Sequence, residues 1–397
     1  MKARLKVRLW IVNIFRGILA LTMLASGLVK LLDPMGMVYK LQAYAEHWAF
    51  SIDELWLKVA AVALGIIELQ LGAYLLLGIR RRTSAWVALL MMVAFLGISA
   101  YLYLDGGISD CGCFGAAVEL SSGATLLKNV LLTGMAFYVV CFPNRMRRLV
   151  TERNQGMATI YVFCYGLVLS LYSLHYLPLV TFTDYRKGES WATQYNDGTA
   201  PAREGVINLA VYNKGGEDVT AELLSDTSRT FILTLHDALK ADDSSADRIN
   251  DLYDFAVDHG YRFVALTGEA VNYANWQDRT GASYDCLYAD ADVIKAMVRS
   301  NPGLLLLHNG TLEGKWGTNN LPNVEEMNPA TMEFPESEYM VWTRILLLLI
   351  VPMLLLMVLD GVWIGRKYRG HRLRMRELLK GEVKSDATEK NENKKTI

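Results

Sequence analysis

Only five cysteines occur in the 397 residues, none of them spaced C-x-x-C, and proline is scarce at nine. So few cysteines exclude a disulfide-dense secreted chain, and an apolar content of 52% excludes a disordered or fibrous one. No Walker, dinucleotide-binding or zincin motif is visible. Lys and Arg are also missing where they would be informative: residues 105–123 hold none, and residues 32–56 hold only Lys40. What charge there is divides the chain. Residues 180–340 carry 26 acids against 12 bases, and the remainder 15 acids against 28 bases, so a net charge of −1 conceals one acidic and one basic part. The acidic part disfavours nucleic acid as a partner.

Long apolar runs are present instead. Six stretches, approximately 9–31, 57–79, 84–104, 124–142, 158–179 and 341–364, reach the roughly 20 residues that a helix needs to cross a hydrocarbon core. Between them lie basic clusters: Lys2, Arg4, Lys6 and Arg8; Arg80 to Arg82; Arg145, Arg147, Arg148 and Arg153; and the tail after 365. Because short basic connections stay on the cytoplasmic side, both termini are expected inside and the acidic segment outside. The first run is longer than a signal-peptide core and lacks a small-residue cleavage site, so it reads as a signal anchor. The basic tail reads as an orientation anchor, with anionic lipid or a cytoplasmic protein as the sharper alternative.

Cys141 and Cys164 sit among apolar residues in the fourth and fifth runs and read as small hydrophobes. Cys111 and Cys113, in "DCGCFG", fall in the outward connection after the third run, beside Asp110 and among glycines that permit sharp turns. A disulfide between residues two apart closes almost no loop and is strained, which favours an exchangeable redox bond over a staple. Metal binding would need further ligands that the sequence does not place. Glu68 lies mid-span among Ile66, Ile67, Leu69 and Leu71, where an ionisable group must face the bundle interior. It reads equally as a proton acceptor or as a structural group. Lys30 and Asp33 flank the outer end of the first run. Lys30 either snorkels to the interface or stabilises a thiolate of the cysteine loop, and Asp33-Pro34 ends the helix. Asn129 reads first as a helix–helix hydrogen bond.

"SGLVKLLDP", "GIIELQLGAYLLLG", "DCGCFG" and "TLLKNVLL", in that order, resemble the MauE/DoxX-like membrane proteins over roughly residues 8–142. The resemblance implies a four-helix membrane bundle associated with disulfide formation in an extracytoplasmic client. It places Cys111 and Cys113 as the redox pair, with Lys30, Asp33, Glu68 and Asn129 in support. Methylamine itself is not implied as a substrate.

From about 205 the pattern changes to short apolar strands and amphipathic helices: "VINLAVYN", "RTFILTL", a helix over 244–259, "YRFVAL", helices over 268–280 and 291–299, and a hairpin around Asn309-Gly310. Residues 205–325 resemble a thioredoxin-like domain of the TlpA type. Asn301-Pro302 falls where that fold carries its cis-proline. The C-x-x-C that should follow "FILTL" is replaced by "HDALKADD", leaving Cys286 as the outer segment's single thiol, either a spare buried cysteine or a transient partner of the pair.

The expected architecture is therefore a polytopic α-helical membrane protein with an extracytoplasmic α/β thioredoxin-like domain. Its parts are a four-helix DoxX/MauE-like bundle over 1–150, a fifth span over 151–180, the α/β domain over 181–340, a sixth span over 341–365 and a basic tail over 366–397. Placed in a bacterial inner membrane with 180–340 periplasmic, it would act as a thiol–disulfide redox protein on an extracytoplasmic client. By analogy alone, a quinone would take the electrons. The alternative is a non-enzymatic scaffold whose redox-inactive domain binds a protein. A transporter built on Glu68 is weaker, since no inverted repeat is visible.

Overall fold

A computed structural model of the chain describes residues 2–105, 121–194 and 209–326, and beyond them Asp360, Val362 and Gly365. The first part is helical: α1 (Lys2–Leu32), α2 (Pro34–His47), α3 (Glu54–Leu77), α4 (Arg81–Asp105), α5 (Ser122–Cys141) and α6 (Gln155–His175). All but α2 are long and apolar enough to cross a membrane, making a polytopic helical membrane domain. The sixth run falls outside the described residues except for Asp360 and Val362, but its Asp360 carboxylate is fixed. It accepts hydrogen bonds from the Thr151 amide at 2.7 Å, the Thr151 hydroxyl at 3.0 Å and the Asn154 side chain at 3.1 Å, at the start of α6.

α1 and α3 form the closest pair, and glycine is the reason. A Cβ on Gly27 would lie 2.5 Å from the Leu69 amide nitrogen, and one on Gly72 2.7 Å from that of Leu24, so the two backbones touch where side chains would hold them apart. α4 and α5 pack against this pair on one side, around Leu19, Met23, Leu75, Met92 and Leu132, and α6 packs on the other, around Leu31, Leu69 and Leu169. One end of the bundle is basic, with Arg16 bonded to the Arg147 carbonyl and Arg81 to those of Asn144 and Met146. The other end carries the α/β domain and is called the domain end below.

The connection expected over 32–56 is largely helical. Asp33 caps α2 by accepting from the Gly36 amide at 2.9 Å, and Pro34 occupies the first turn, where its missing N–H costs nothing.

After α6, the chain runs back over the α/β domain through the short α7 (Trp191–Gln194) and α8 (Thr220–Ser225). It then forms β1 (Arg229–Leu235), α9 (Ala246–Asp258), β2 (Arg262–Thr267), α10 (Ala270–Thr280), β3 (Asp285–Tyr288), α11 (Ala291–Met297), β4 (Gly303–His308) and β5 (Thr311–Gly317). The strand order is β3-β2-β1-β4-β5, parallel in the first two pairings and antiparallel in the last two. β1 is buried on both faces, as a central strand must be. Phe231, Leu233 and Leu235 meet α9 and α10 through Ile249, Leu252, Phe255 and Trp276, while Ile232 meets α8 and α11 through Leu224, Ile294 and Met297. The described end of "VINLAVYN" is no strand: Tyr212 forms isolated bridges to Asp218 and Tyr288. The hairpin turns at Asn309 and Gly310, both with positive φ, as a two-residue turn of this hand requires.

Candidate functional site

The α1–α3 approach creates the first element of the site. Lys30 and Ser26 are one turn apart on α1 and share a face, and opposite them stands Glu68, midway along α3. The Lys30 ammonium donates to Glu68 Oε2 at 2.9 Å and to the Ser26 hydroxyl at 2.8 Å, with Lys30 1% and Glu68 0% exposed. Lys30 therefore turns into the bundle rather than out to its interface. Each charge offsets the other's desolvation in a place where neither is tolerable alone. The second carboxylate oxygen, Glu68 Oε1, is buried without a hydrogen-bond partner among the described residues.

Three residues beyond Lys30, Asp33 links the bundle to the α/β domain. While one of its oxygens caps α2, the other accepts from Arg299 at 3.1 and 3.2 Å, and both side chains are nearly buried. Asn129 on α5 donates to the Ser99 hydroxyl at 3.1 Å and the Phe95 carbonyl at 3.3 Å, tying α5 to α4. These two helices bracket the cysteine loop: α4 ends at Asp105, and Ser121 caps α5. Cys111, Cys113 and Asp110 lie outside the described residues. The anchor at Asp105 is tied to the end of α2, with His47 Nε2 3.0 Å from its carboxylate and Trp48 donating to the Tyr101 hydroxyl at 3.2 Å. α2, about 20 Å long at 1.5 Å per residue, thus runs from the α/β domain contact to the foot of that loop.

Between the domain end of the bundle and the α/β domain lies a cavity of about 900 Å³. Its walls are Met35 and Tyr39 of α2, Glu54 and Lys58 of α3, and the end of α6, facing residues just beyond the carboxyl ends of β1, β2 and β3. That is where open sheets of α/β proteins place their ligand sites. Tyr39 is inserted into the domain: its ring lies edge-on to His236 at 5.9 Å, with Lys295 and Arg299 5.6 and 5.4 Å from its centroid. Burial pushes the Tyr39 phenol above its ordinary pKa. Burial, with nearby Lys295, lowers the His236 imidazole to about 4, so it is neutral at pH 7.

The loop after β1 reads His236 to Asp243 in place of a C-x-x-C and is pinned to the residue before Pro302. Asn301 donates to the Asp237 carbonyl at 2.7 Å, and its own carbonyl accepts from the Asp242 amide at 3.0 Å. The Asn301-Pro302 bond is cis. Pro302 itself accepts from Ser300 at 2.7 Å and Thr318 at 2.9 Å. Cys286 is on β3, half-buried against the α9–α10 side of the sheet, and burial pushes its thiol up to about 12. Such a thiol is a poor nucleophile. Cys141 and Cys164 are free thiols on the outside of the bundle.

Tyr39, His236 and Arg299 were not singled out in the sequence. Asp33-Pro34 carries a helix-start signal that marks α2, but nothing in the sequence joins residue 39 to residues 236 and 299. No curated protein and no solved structure matches the chain. One family model does: residues 8–142, which take in α1 from its second turn through α5, are similar to the family described as Methylamine utilisation protein MauE.

Proposed function

We propose that the chain is a membrane thiol–disulfide redox protein in which Cys111 and Cys113 exchange electrons with an extracytoplasmic protein, and the α/β domain, of thioredoxin-like type, presents that protein to the pair. The observation that carries this reading is the path of α2. A single helix joins the face of the α/β domain, through Tyr39 and the neighbouring Asp33–Arg299 pair, to the foot of the cysteine loop, through His47 and Asp105. Basic residues gathered at the opposite end of the bundle support a cytoplasmic location for that end. The bacterial inner membrane is the compartment in which an outward C-x-C pair meets oxidising conditions.

In the forward direction, two thiols of the client are oxidised to a disulfide as the Cys111–Cys113 bond is reduced to two thiols. The electron pair and protons pass on to an acceptor, for which a lipid-soluble quinone is the natural class in a bundle. Lys30 and Glu68 supply an internally compensated charge pair that can hold a proton within the bundle. A purely scaffolding role for the α/β domain follows from the same observations, because the loop from His236 to Asp243 contains no thiol.

The test is mixed-disulfide trapping in native membranes. Cys111→Ser and Cys113→Ser single variants each leave one thiol of the pair, and at least one should form a reductant-sensitive adduct with a client that the double variant, which keeps the other three cysteines, does not form. No adduct in either single variant would sink the redox reading.

A further inference from the structure

Charged groups at the basic end of the bundle divide into those with partners and those without. Arg16 donates to the Arg147 carbonyl, Arg81 to the carbonyls of Asn144 and Met146, and Arg148 to Glu152, while Asp360 is committed to Thr151 and Asn154. Arg8 and Arg145 differ. Among the described residues neither guanidinium donates a hydrogen bond or meets a carboxylate, and Arg145 Nη1 is buried without an acceptor. What the two share is a ring: their guanidinium carbons lie 5.7 and 5.0 Å from the centroid of Phe142. Phe142 ends an aromatic ladder in the seam between α1 and α5, with Phe15 and Tyr138 5.4 Å apart and Tyr138 and Phe142 5.2 Å apart. Asn13 of α1 fixes the loop after α5 against this seam, donating to the Arg145 carbonyl at 3.2 Å and accepting from the Arg147 amide at 3.1 Å. Attraction to one ring thus gathers two like charges that no acid offsets.

Their depth restricts what can neutralise them. The span in α1 begins at Val7, which puts Arg8 in its first turn, and Arg145 follows the end of α5 at Cys141. Both therefore stand where hydrocarbon gives way to headgroups. Beside them α1 exposes an apolar stripe of Val7, Trp10 and Ile14, and tryptophan at this level is an interfacial anchor. An occupant must be anionic at one end and apolar along the rest. Free phosphate lacks the apolar part, and an acidic peptide would set polar backbone against the stripe. A zwitterionic phospholipid brings an ammonium group that the arginines repel. An anionic phospholipid meets both requirements, and guanidinium forks match phosphate oxygens in pairs.

We infer that the α1–α5 seam at the basic end binds an anionic phospholipid, its phosphate between Arg8 and Arg145 beside Phe142 and an acyl chain along the Val7–Trp10–Ile14 stripe. The lipid bridges α1 to the loop after α5 and removes the repulsion between the two arginines. It lies at the opposite end of the bundle from the cysteine loop, so the site stands whether or not Cys111 and Cys113 exchange electrons.

The experiment uses the full chain, delipidated in a neutral detergent, with native mass spectrometry to follow binding as phosphatidylglycerol or phosphatidylethanolamine is titrated in. Phosphatidylglycerol should bind at least about tenfold more tightly, and inorganic phosphate at equal concentration should not displace it. Arg8→Gln/Arg145→Gln should weaken phosphatidylglycerol binding about tenfold or more and abolish the preference, whereas Arg8→Lys/Arg145→Lys, which keeps the charges without the forks, should lose less. Arg8 is exposed, so Arg8→Gln alone leaves the fold intact and should already weaken binding about threefold or more. Arg153→Gln, at an exposed arginine of the same end on the α6 side, should bind like the native chain. Equal affinity for the two lipids, displacement by inorganic phosphate, or unchanged binding in Arg8→Gln overturns the inference. An equal loss in Arg153→Gln overturns it too, because it marks a diffuse basic surface instead of a site.

Discussion

The ammonium of Lys30 and the carboxylate of Glu68 meet at 2.9 Å, sealed between two helices whose backbones touch at glycine. The pair holds the register of α1 against α3. Removing one partner strands the other charge, so Lys30→Met or Glu68→Leu alone should destabilise the bundle by about 3–5 kcal/mol, whereas the double replacement should recover most of that loss. Thermal unfolding of the purified chain in detergent measures this. Equal losses in the single and double variants would contradict it.

Gly27 and Gly72 admit no side chain. Gly27→Val should separate α1 from α3 and so pull the Lys30–Glu68 pair apart, while the same change at Gly97, where a Cβ meets nothing within 4 Å, should be close to neutral. Yield of folded protein by size-exclusion chromatography is the readout, and similar behaviour of the two variants would refute the close-contact account.

Arg299 meets Asp33 through two of its nitrogens. Arg299→Lys, which keeps the charge and loses the fork, should loosen the α/β domain on the bundle by about 1.5–3 kcal/mol, as for hydrogen bonds to charged groups. Hydrogen exchange in α2 and α11 should quicken without change in the strand core. Unchanged exchange in α2 would show that the pair does not fasten the two parts.

The imidazole of His236 carries a pH dependence whose sign is fixed. In the folded chain burial keeps it neutral down to about pH 4, whereas in the unfolded chain it takes up a proton near 6.5. Between those values the unfolded state binds more protons, so this group costs stability progressively as pH falls from 6.5 to 4 and costs none above that window. Lys295 and Lys240 act with burial, and Asp237 and Glu54 oppose it. Unfolding midpoints followed from pH 7 to pH 4 should fall less steeply in His236→Phe than in the native chain. Parallel profiles would remove His236 from the explanation.

How much of this was legible in the residues varies with the range of the interaction. Five spans and four of the five strands, β1, β2, β4 and β5, follow from local periodicity, whereas β3 does not and "VINLAVYN" promises a strand that its described end does not form; "RTFILTL" coincides with β1 because a strand buried on both faces is an unbroken apolar run. α2 falls within a connection between two apolar runs, too short to span a membrane, although Asp33-Pro34 announces its start. Glu68 was legible as a group needing a partner, but not its partner: the distance from Lys30 is set by the glycine contacts between α1 and α3, and those appear only when two helices are placed together. Tyr39, His236 and Arg299 share a site through the docking of two separately patterned parts, which no local pattern encodes. Cys286 shows the reverse, since its position on β3 and its burial were open in the sequence and are settled by the sheet.

Everything proposed for the bundle's redox chemistry depends on Cys111 and Cys113 being an exchangeable redox pair. Differential thiol alkylation followed by mass spectrometry, on native membranes equilibrated across a series of redox buffers, tests it most directly. A reversible bond between those two residues is expected, with a potential well above about −300 mV, as labile disulfides show. Thiols that remain reduced and inert at every poise, or a bond that no buffer reduces, would contradict it.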